Sequence, residues 1–180
     1  MNAQVLTLGA APAAGFDEPF EMLAGCHERV ERMLQLLERL EAHLPTHGCD
    51  RAAGDAAHDV MRYFDLAAPA HHEDEELHVL PILRELGDEA FAAQLEQEHA
   101  ELQRRWNGLR RSLAQVVDGT WCTGPDGQPL EGLAAFVSMY RAHAAAEDRQ
   151  AFPAARARLD AAAQRAMGEE MARRRGVRPA

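Results

Sequence analysis

The sequence predicts an all-α protein, an up-down antiparallel four-helix bundle with an additional C-terminal helix. Residues that favour helix, such as Ala, Leu, Glu, Gln and Arg, are plentiful. Aromatic residues make up only 6% of the chain and no alternating β-branched run is present, so strands have little support. Four long helical patterns are separated by short breaks, and short links join antiparallel neighbours in a bundle.

The length of 180 residues suits one domain with a substantial core. The first fifteen residues are small, apolar and without a helical pattern, so residues 1–15 are predicted to form a flexible tail. The bundle domain is predicted to span residues 16–176.

The first helix is expected to start at Asp17-Glu18-Pro19, because an acidic cap followed by Pro in the first turn is a common helix start. Its apolar residues recur with a helical period up to about Leu44, and Pro45 is expected to end it. The second helix is expected over residues 51–86. Pro69 lies inside it and predicts a kink.

The third helix is expected to follow Gly87-Asp88, a sequence that suits the end of one helix and the start of the next, and to run to about Val117. Residues 118–129 are rich in Gly, Pro and Asp and predict the one long loop. The fourth helix is then expected over residues 130–152. Pro153 is predicted to open the last helix, which reaches about residue 174.

The charge and the cysteines exclude several classes of protein. The net charge of −10 argues against nucleic acid or an anionic membrane as the main partner, since both need a basic surface. No apolar run is long enough to span a membrane. Cys26, Cys49 and Cys122 are odd in number and form no C-x-x-C motif, which favours reduced thiols and a cytoplasmic location. The Ala- and Arg-rich composition is typical of a bacterium with a GC-rich genome.

A motif in the second helix recurs in the fourth. Both copies read H-x-x-x-E, and in both a Pro follows the His after ten residues. The copies are His71 with Glu75 and Pro81, and His143 with Glu147 and Pro153. Residues four apart lie on one face of a helix, so each imidazole and carboxylate can reach one pocket. Such pairs also occur as solvated surface pairs, but the matched Pro spacing favours a shared role.

Two facing pairs of this kind predict a metal site. His27 on the first helix and His99 on the third are single inward candidates, although a buried His that is satisfied by hydrogen bonds is a common alternative. Together the set has four imidazoles and two carboxylates. This mixture of nitrogen and oxygen donors suits Fe, Mn or Zn better than Ca or Mg.

These residues resemble the hemerythrin-like family, whose members are also called HHE cation-binding domains. The resemblance covers residues 17–176 and rests on several segments that occur in the order of the family. They are His27, HHEDEELHVLP at 71–81, Glu98-His99, HAAAEDRQAFP at 143–153 and the tail GEEMARRRG at 168–176.

The resemblance implies two non-haem iron ions that are bridged by two carboxylates and an oxo species. In that arrangement His27 and His71 bind one iron, and His99 and His143 bind the other. Glu75 and Glu147 are the implied bridges.

This sequence departs from the oxygen-carrying hemerythrins at one ligand. Those proteins have a second His one turn after the His of the third helix, where this chain has Gln103. The candidates for the missing ligand are His43, His47, His58, His72, Gln103 itself and water. His47 is slightly favoured, because some iron–sulfur repair proteins of the family take a His from the end of the first helix. His72 points about 100° away from His71 on a helix and is expected to be exposed or to support the ligands.

The expected function is therefore that of a di-iron protein that binds or senses O2 or NO, or that handles iron in a stress response. An incomplete shell around one iron favours redox chemistry, so one alternative is an enzyme-like role in iron–sulfur cluster repair or in peroxide or NO reduction. Another alternative is a regulatory bundle that holds zinc or no metal.

Overall fold

A computed structural model describes residues 15–121 and 130–177. The predicted tail, apart from Gly15, and residues 122–129 of the predicted loop, with Cys122, lie outside the described residues. Within the described ranges every regular element is helical and no strand occurs, which confirms the all-α prediction. None of the helices in these ranges is long and apolar enough to cross a membrane.

Four long helical segments form the bundle, and two of them contain a π-helical turn. The first segment is α1 (Pro19–His47); the second is α2 (Arg51–Arg62), a π turn (Tyr63–Ala67), α3 (Ala68–His78) and α4 (Leu80–Glu85). The third is α5 (Glu89–Val117), and the fourth is α6 (Leu133–Ala146), a π turn (Glu147–Ala151) and α7 (Phe152–Arg158). A further helix, α8 (Ala161–Arg174), follows.

The segments close into a ring in the order of the chain. Helix α1 packs on α2 and α6, and α5 packs on the same two helices from the opposite side. Helix α8 packs on α1 at one end of the bundle. This approach is close, because a Cβ atom on Gly168 would lie 1.7 Å from the carbonyl oxygen of Phe16. Only a residue without a side chain allows that contact.

Pro45 and Pro153 do not mark the helix boundaries that were expected of them, and Pro69 lies next to an irregular turn. Pro45 lies inside the last turns of α1, which ends at His47 before Gly48 takes a positive φ of 65°. Pro69 lies in the first turn of α3, directly after the π turn. Pro153 does not open the last helix, because the fourth segment continues to Arg158. The break comes at Leu159, and the side chain of Asp160 caps α8 by accepting from Ala163 N.

The apolar core is divided into two clusters. The larger one is formed by the C-terminal half of α1, by α2, by α5 from Leu102 onward and by the N-terminal half of α6. The smaller one lies towards the other end of the bundle, where the start of α1, α4, the start of α5, α7 and α8 meet.

Candidate metal centre

A layer of six polar residues lies between the two apolar clusters. These are the six residues predicted from the sequence, and their exposed fractions range from 0% to 7%. Along each segment, residues of the two clusters stand on either side of them. The flanking residues are Leu23 and Val30 for His27, Ala68 and Val79 for His71 and Glu75, Leu95 and Leu102 for His99, and Tyr140 and Ala151 for His143 and Glu147.

Three of the four imidazoles are oriented by a carboxylate on a neighbouring segment. The pairs are His27 Nδ1 with Asp148 Oδ1 at 2.9 Å, His99 Nδ1 with Glu76 Oε1 at 2.9 Å, and His143 Nδ1 with Glu98 Oε2 at 2.8 Å. In each pair Nδ1–H donates to the carboxylate, so Nε2 is the nitrogen that faces the interior, and it has a free lone pair whenever the ring is neutral. A carboxylate that fixes the tautomer and ring direction in this way is the usual support of a metal-binding His.

The interior of the layer holds nine buried side-chain atoms without a hydrogen-bond partner. They are Nε2 of His27, His99 and His143, both ring nitrogens of His71, and all four carboxylate oxygens of Glu75 and Glu147. A buried polar atom that lacks a partner costs about 1–3 kcal/mol, and native proteins contain few of them. A bound cation is the simplest group that would satisfy lone pairs of nitrogen and oxygen together.

The two glutamates lie between the imidazoles. Glu75 Oε1 is 3.1 Å from His71 Nε2 and 3.7 Å from His27 Nε2, while its Oε2 is 3.5 Å from His99 Nε2. Glu147 Oε2 is 3.2 Å from Nε2 of both His27 and His143, and its Oε1 is 3.5 Å from His99 Nε2. Ligand atoms bonded to one ion at about 2.1 Å are separated by about 3.0 Å in an octahedral shell and about 3.4 Å in a tetrahedral one. Three of the six observed separations lie within this range, and the other three exceed it by 0.1–0.3 Å.

The ligand atoms form two groups that share Glu75. In each group every residue offers one possible ligand atom, and these atoms all lie within 4.8 Å of one another. The groups are His27, His71, Glu75 and Glu147, and His72, Glu75, His99 and His143. The shared carboxylate and the separate pairs of imidazoles can accommodate two neighbouring ions.

His72 belongs to the second group, which the sequence did not favour. Its ring stacks on that of His99 with centroids 4.1 Å apart and planes inclined by 5°. Its Nε2 lies 2.9 Å from the hydroxyl of Tyr140, which is itself almost fully buried. The side chain of His72 lies about 100° around the helix axis from that of His71. It therefore points towards α5 and α6 and not to solvent.

The other candidates for the missing ligand do not reach the layer. His43 and His47 lie 16 and 20 residues after His27 on α1, which is about 24 and 30 Å along the helix. The preference for His47 is therefore wrong. His58 is exposed on α2, and Gln103 is exposed on α5 with its amide donating to Asn107 Oδ1 at 3.1 Å.

The charges in the layer are strongly coupled. Burial raises the pKa of Glu75 well above its usual range, and the negative charge of Glu147 adds to this effect. Burial also lowers the pKa of His71 and of His143. Burial acts to lower the pKa of His27 as well, but the carboxylates of Asp148 and Glu147 outweigh it and raise the value to about 9. Without a metal, protons on His27 and Glu75 limit the net charge of the layer.

A buried ion-pair network connects α3 to the C-terminal end of α8. The carboxylate of Asp74 is completely buried next to Glu75 and accepts from the guanidinium groups of Arg174 and Arg175. Arg175 also donates to the carbonyl of Ala70 at 3.0 Å. The C-terminal end of α8 is thus fastened to the helix that carries His71, His72 and Glu75.

A cleft of about 720 Å³ between α1 and α6 leads towards the layer. His27 and Asp148 lie along it, together with the small side chains of Ala24, Ala144 and Ala145. A molecule in solvent can approach the first group of ligand atoms by this route.

The fold and the site define a helical bundle with an internal cluster of imidazoles and carboxylates. The family model described as the Hemerythrin HHE cation binding domain matches residues 18–155 of the chain. An uncharacterized protein of Haemophilus influenzae is 31% identical over 169 residues, which cover 92% of this chain and 94% of that protein. The chain belongs to the hemerythrin HHE cation-binding family, and its His and Glu clusters could hold a metal.

The sequence reasoning missed the supporting carboxylates. None of Glu76, Glu98 and Asp148 was predicted to contribute to the site. A signal was present, because each predicted bridging glutamate is followed directly by a second acid, in Glu75-Glu76 and in Glu147-Asp148. In both cases the second acid reaches a His on a neighbouring segment.

Proposed function

We propose that the chain is a cytoplasmic non-haem di-iron protein that binds or senses O2 or NO. The nine unpartnered nitrogen and oxygen atoms inside the polar layer carry this proposal. Their mixture of donors suits Fe, Mn or Zn better than the all-oxygen shells of Ca and Mg. Membership of a cation-binding family supports the same reading.

The residues divide into two ligand sets in this proposal. His27 and His71 would hold one iron, His99 and His143 would hold the other, and Glu75 and Glu147 would supply carboxylate oxygens between the pairs of imidazoles. His72 takes the place of the second His that the third helix lacks. When bound, iron supplies a redox-active ion that can take a diatomic molecule as a further ligand.

The chain's own residues prepare the site for such a ligand. The apolar clusters on both sides exclude bulk water from the layer. Asp148, Glu76 and Glu98 keep the Nε2 lone pairs directed inward. The cleft between α1 and α6 gives a small molecule a route to the layer.

Reduction of peroxide or NO at the same irons is the second candidate, and Tyr140 favours it. These reductions consume protons. The Tyr140 hydroxyl is buried beside the layer and lies 2.9 Å from His72 Nε2. Burial raises the pKa of Tyr140, so the phenol stays protonated and can donate a hydrogen bond beside the layer, while the electrons for either reduction would have to come from an external reductant.

The first experiment is elemental analysis of protein purified without oxygen, with visible spectra before and after exposure to air or NO. About two irons per chain and a spectrum that responds to either gas would support the proposal. Reversal of the change on removal of the gas indicates binding, whereas consumption of peroxide or NO over many cycles indicates the enzyme-like role. Protein that takes up no iron on anaerobic reconstitution, or that retains only zinc, contradicts the di-iron proposal.

A matched pair of variants separates the site from general effects of losing a carboxylate. Glu75→Gln removes the carboxylate shared by both groups and should abolish binding of at least one iron. Glu85→Gln changes an exposed residue at the end of α4 and should leave the iron content at the wild-type value. Equal iron in the two variants would contradict the placement of the site.

A further inference from the structure

Two histidines at the end of α1 take no part in the polar layer. His43 and His47 are four residues apart and therefore lie on one face of the helix. Their rings stack with centroids 4.1 Å apart and planes inclined by 7°. His47 is exposed and the side chain of His43 is 29% exposed, so an ion can reach both without any opening of the bundle.

Both rings have a nitrogen that is available to an ion. Nδ1 of His47 lies 3.3 Å from the carbonyl oxygen of His43 and donates to it, which leaves the lone pair on Nε2. His43 Nε2 lies 3.1 Å from Asp50 Oδ1. This separation is close to the edge of about 3.0–3.4 Å expected for two ligands of one ion, so a cation can replace the proton that these two atoms share.

Asp50 is held in place independently of the histidines. It is the N-cap of α2, and its Oδ1 accepts from Ala53 N at 2.9 Å. The short link from His47 to Asp50 brings this carboxylate to the C-terminal end of α1. The last carbonyl groups of a helix carry partial negative charge there, which favours a cation over an anion.

We propose that His43, His47 and Asp50 form a second metal site, which binds one exchangeable divalent ion such as Zn²⁺, Ni²⁺ or Cu²⁺. Imidazole nitrogen is the preferred ligand of these borderline ions, and water completes the shell on the exposed side. The lone pair of each imidazole lies in the plane of its ring, so the two rings must turn out of the stacked arrangement before both Nε2 atoms can bind one ion. Their exposure leaves room for this rotation. The site is separate from the polar layer and does not depend on the function proposed for it.

The test is a titration of iron-loaded full-length protein with Zn²⁺ by calorimetry, with iron measured before and after. Wild-type protein should bind one more Zn²⁺ than the His43→Ala/His47→Ala double variant. His47→Ala alone should lower the affinity by about tenfold or more, since loss of even a supporting group near a metal commonly has an effect of this size.

His58→Ala is the matched control, because His58 is an exposed histidine on α2 without a histidine partner one turn away. It should bind Zn²⁺ like wild type. Asp50→Asn tests the carboxylate alone, since Asn is as good a helix cap as Asp. It should weaken Zn²⁺ binding while the thermal unfolding of the protein is unchanged. Equal Zn²⁺ uptake by wild type and the double variant, or an equal loss in His58→Ala, would overturn the proposal.

Discussion

The acids that follow the two shared glutamates make the motif longer than H-x-x-x-E. Glu76 supports His99 across the α3–α5 contact, and Asp148 supports His27 across the contact between the fourth segment and α1. Each repeated segment therefore supplies a His and a Glu of the polar layer, and an acid that orients a His on another segment. This explains why the acids recur with the ligands, although their own side chains are partly exposed.

Removal of one orienting carboxylate should weaken metal binding without unfolding the protein. Asp148→Ala leaves His27 Nδ1 without its acceptor, so the ring is less well fixed and less basic. The affinity for metal should fall by about 10–100-fold, as measured by competition with a coloured chelator. Asp55→Ala, at an exposed position on α2, is the control and should bind like wild type. An unchanged affinity in Asp148→Ala would show that this pair has no supporting role.

Metal binding should release protons near neutral pH. In the metal-free protein the pKa of His27 is about 9, so at pH 7 its imidazole is protonated and must lose that proton to bind an ion. The pKa of Glu75 is also raised, which adds a second source of protons. The apparent affinity for Zn²⁺ should therefore increase from pH 6.5 to about pH 8.5.

Calorimetry in buffers with different heats of ionisation measures this release. At least one proton per chain should be released at pH 7 when the polar layer is filled. Binding heats that are the same in all buffers would mean that no proton is displaced, and the assigned charge state of His27 would then be wrong.

His27 and His99 are single residues and were predicted mainly from the resemblance to the family, whereas the other four predicted residues could be found from the sequence because the relation within each pair is local. An i, i+4 pair lies on one face wherever the helix packs. His72 could not be assigned in this way, since its role depends on which helix lies about 100° around from His71. That neighbour is α5, which brings His99 against it, and only the tertiary structure shows this. The prediction of His47 as a ligand was wrong because it rested on residue type alone. The distance of His47 from His27 along α1 is too large for both residues to reach one layer.

At the scale of helices, apolar periodicity predicted the number and the order of the segments. It did not predict where the prolines lie within them. A proline within the last turn of a helix, such as Pro45, removes few backbone hydrogen bonds and need not end it. A proline at the start of a helical stretch, such as Pro69 or Pro153, is compatible with the helix that follows. Both π turns lie just before these prolines, inside the two segments that carry the repeated motif. Such turns are often found at functional sites.

The contact between α8 and α3 depends on the arginines that surround Asp74. Arg174→Ala/Arg175→Ala leaves a completely buried carboxylate without a partner, so the free energy of unfolding should fall by about 3–5 kcal/mol. Arg173→Ala removes a neighbouring arginine whose guanidinium donates to a backbone carbonyl on the exposed side. It should change stability by less than about 0.5 kcal/mol. Denaturant unfolding measures both, and equal effects would contradict a special role for the Asp74 network.

At the scale of the whole molecule, the polar layer interrupts the hydrophobic core. The larger and smaller apolar clusters meet across six polar side chains rather than across packed aliphatic ones. An empty layer places buried carboxylates and imidazoles together without enough hydrogen bonds, which costs free energy. A bound metal joins the four helical segments at this level, so metal binding and the stability of the bundle should be linked.

Removal of metal should therefore lower the melting temperature of the whole domain. At a free metal concentration of about 1,000 times Kd, binding contributes about 4 kcal/mol, and in a domain of this size each kcal/mol corresponds to about 2–4 °C. Chelation should accordingly lower the melting temperature by about 8–16 °C, as measured by circular dichroism. The Glu75→Gln/Glu147→Gln double variant, which lacks both shared carboxylates, should melt at the same temperature with and without chelator. Use of a His47→Ala background removes any contribution of the surface site. An unchanged melting curve in protein that is shown to start metal-loaded would mean that the bundle does not depend on an ion in the layer.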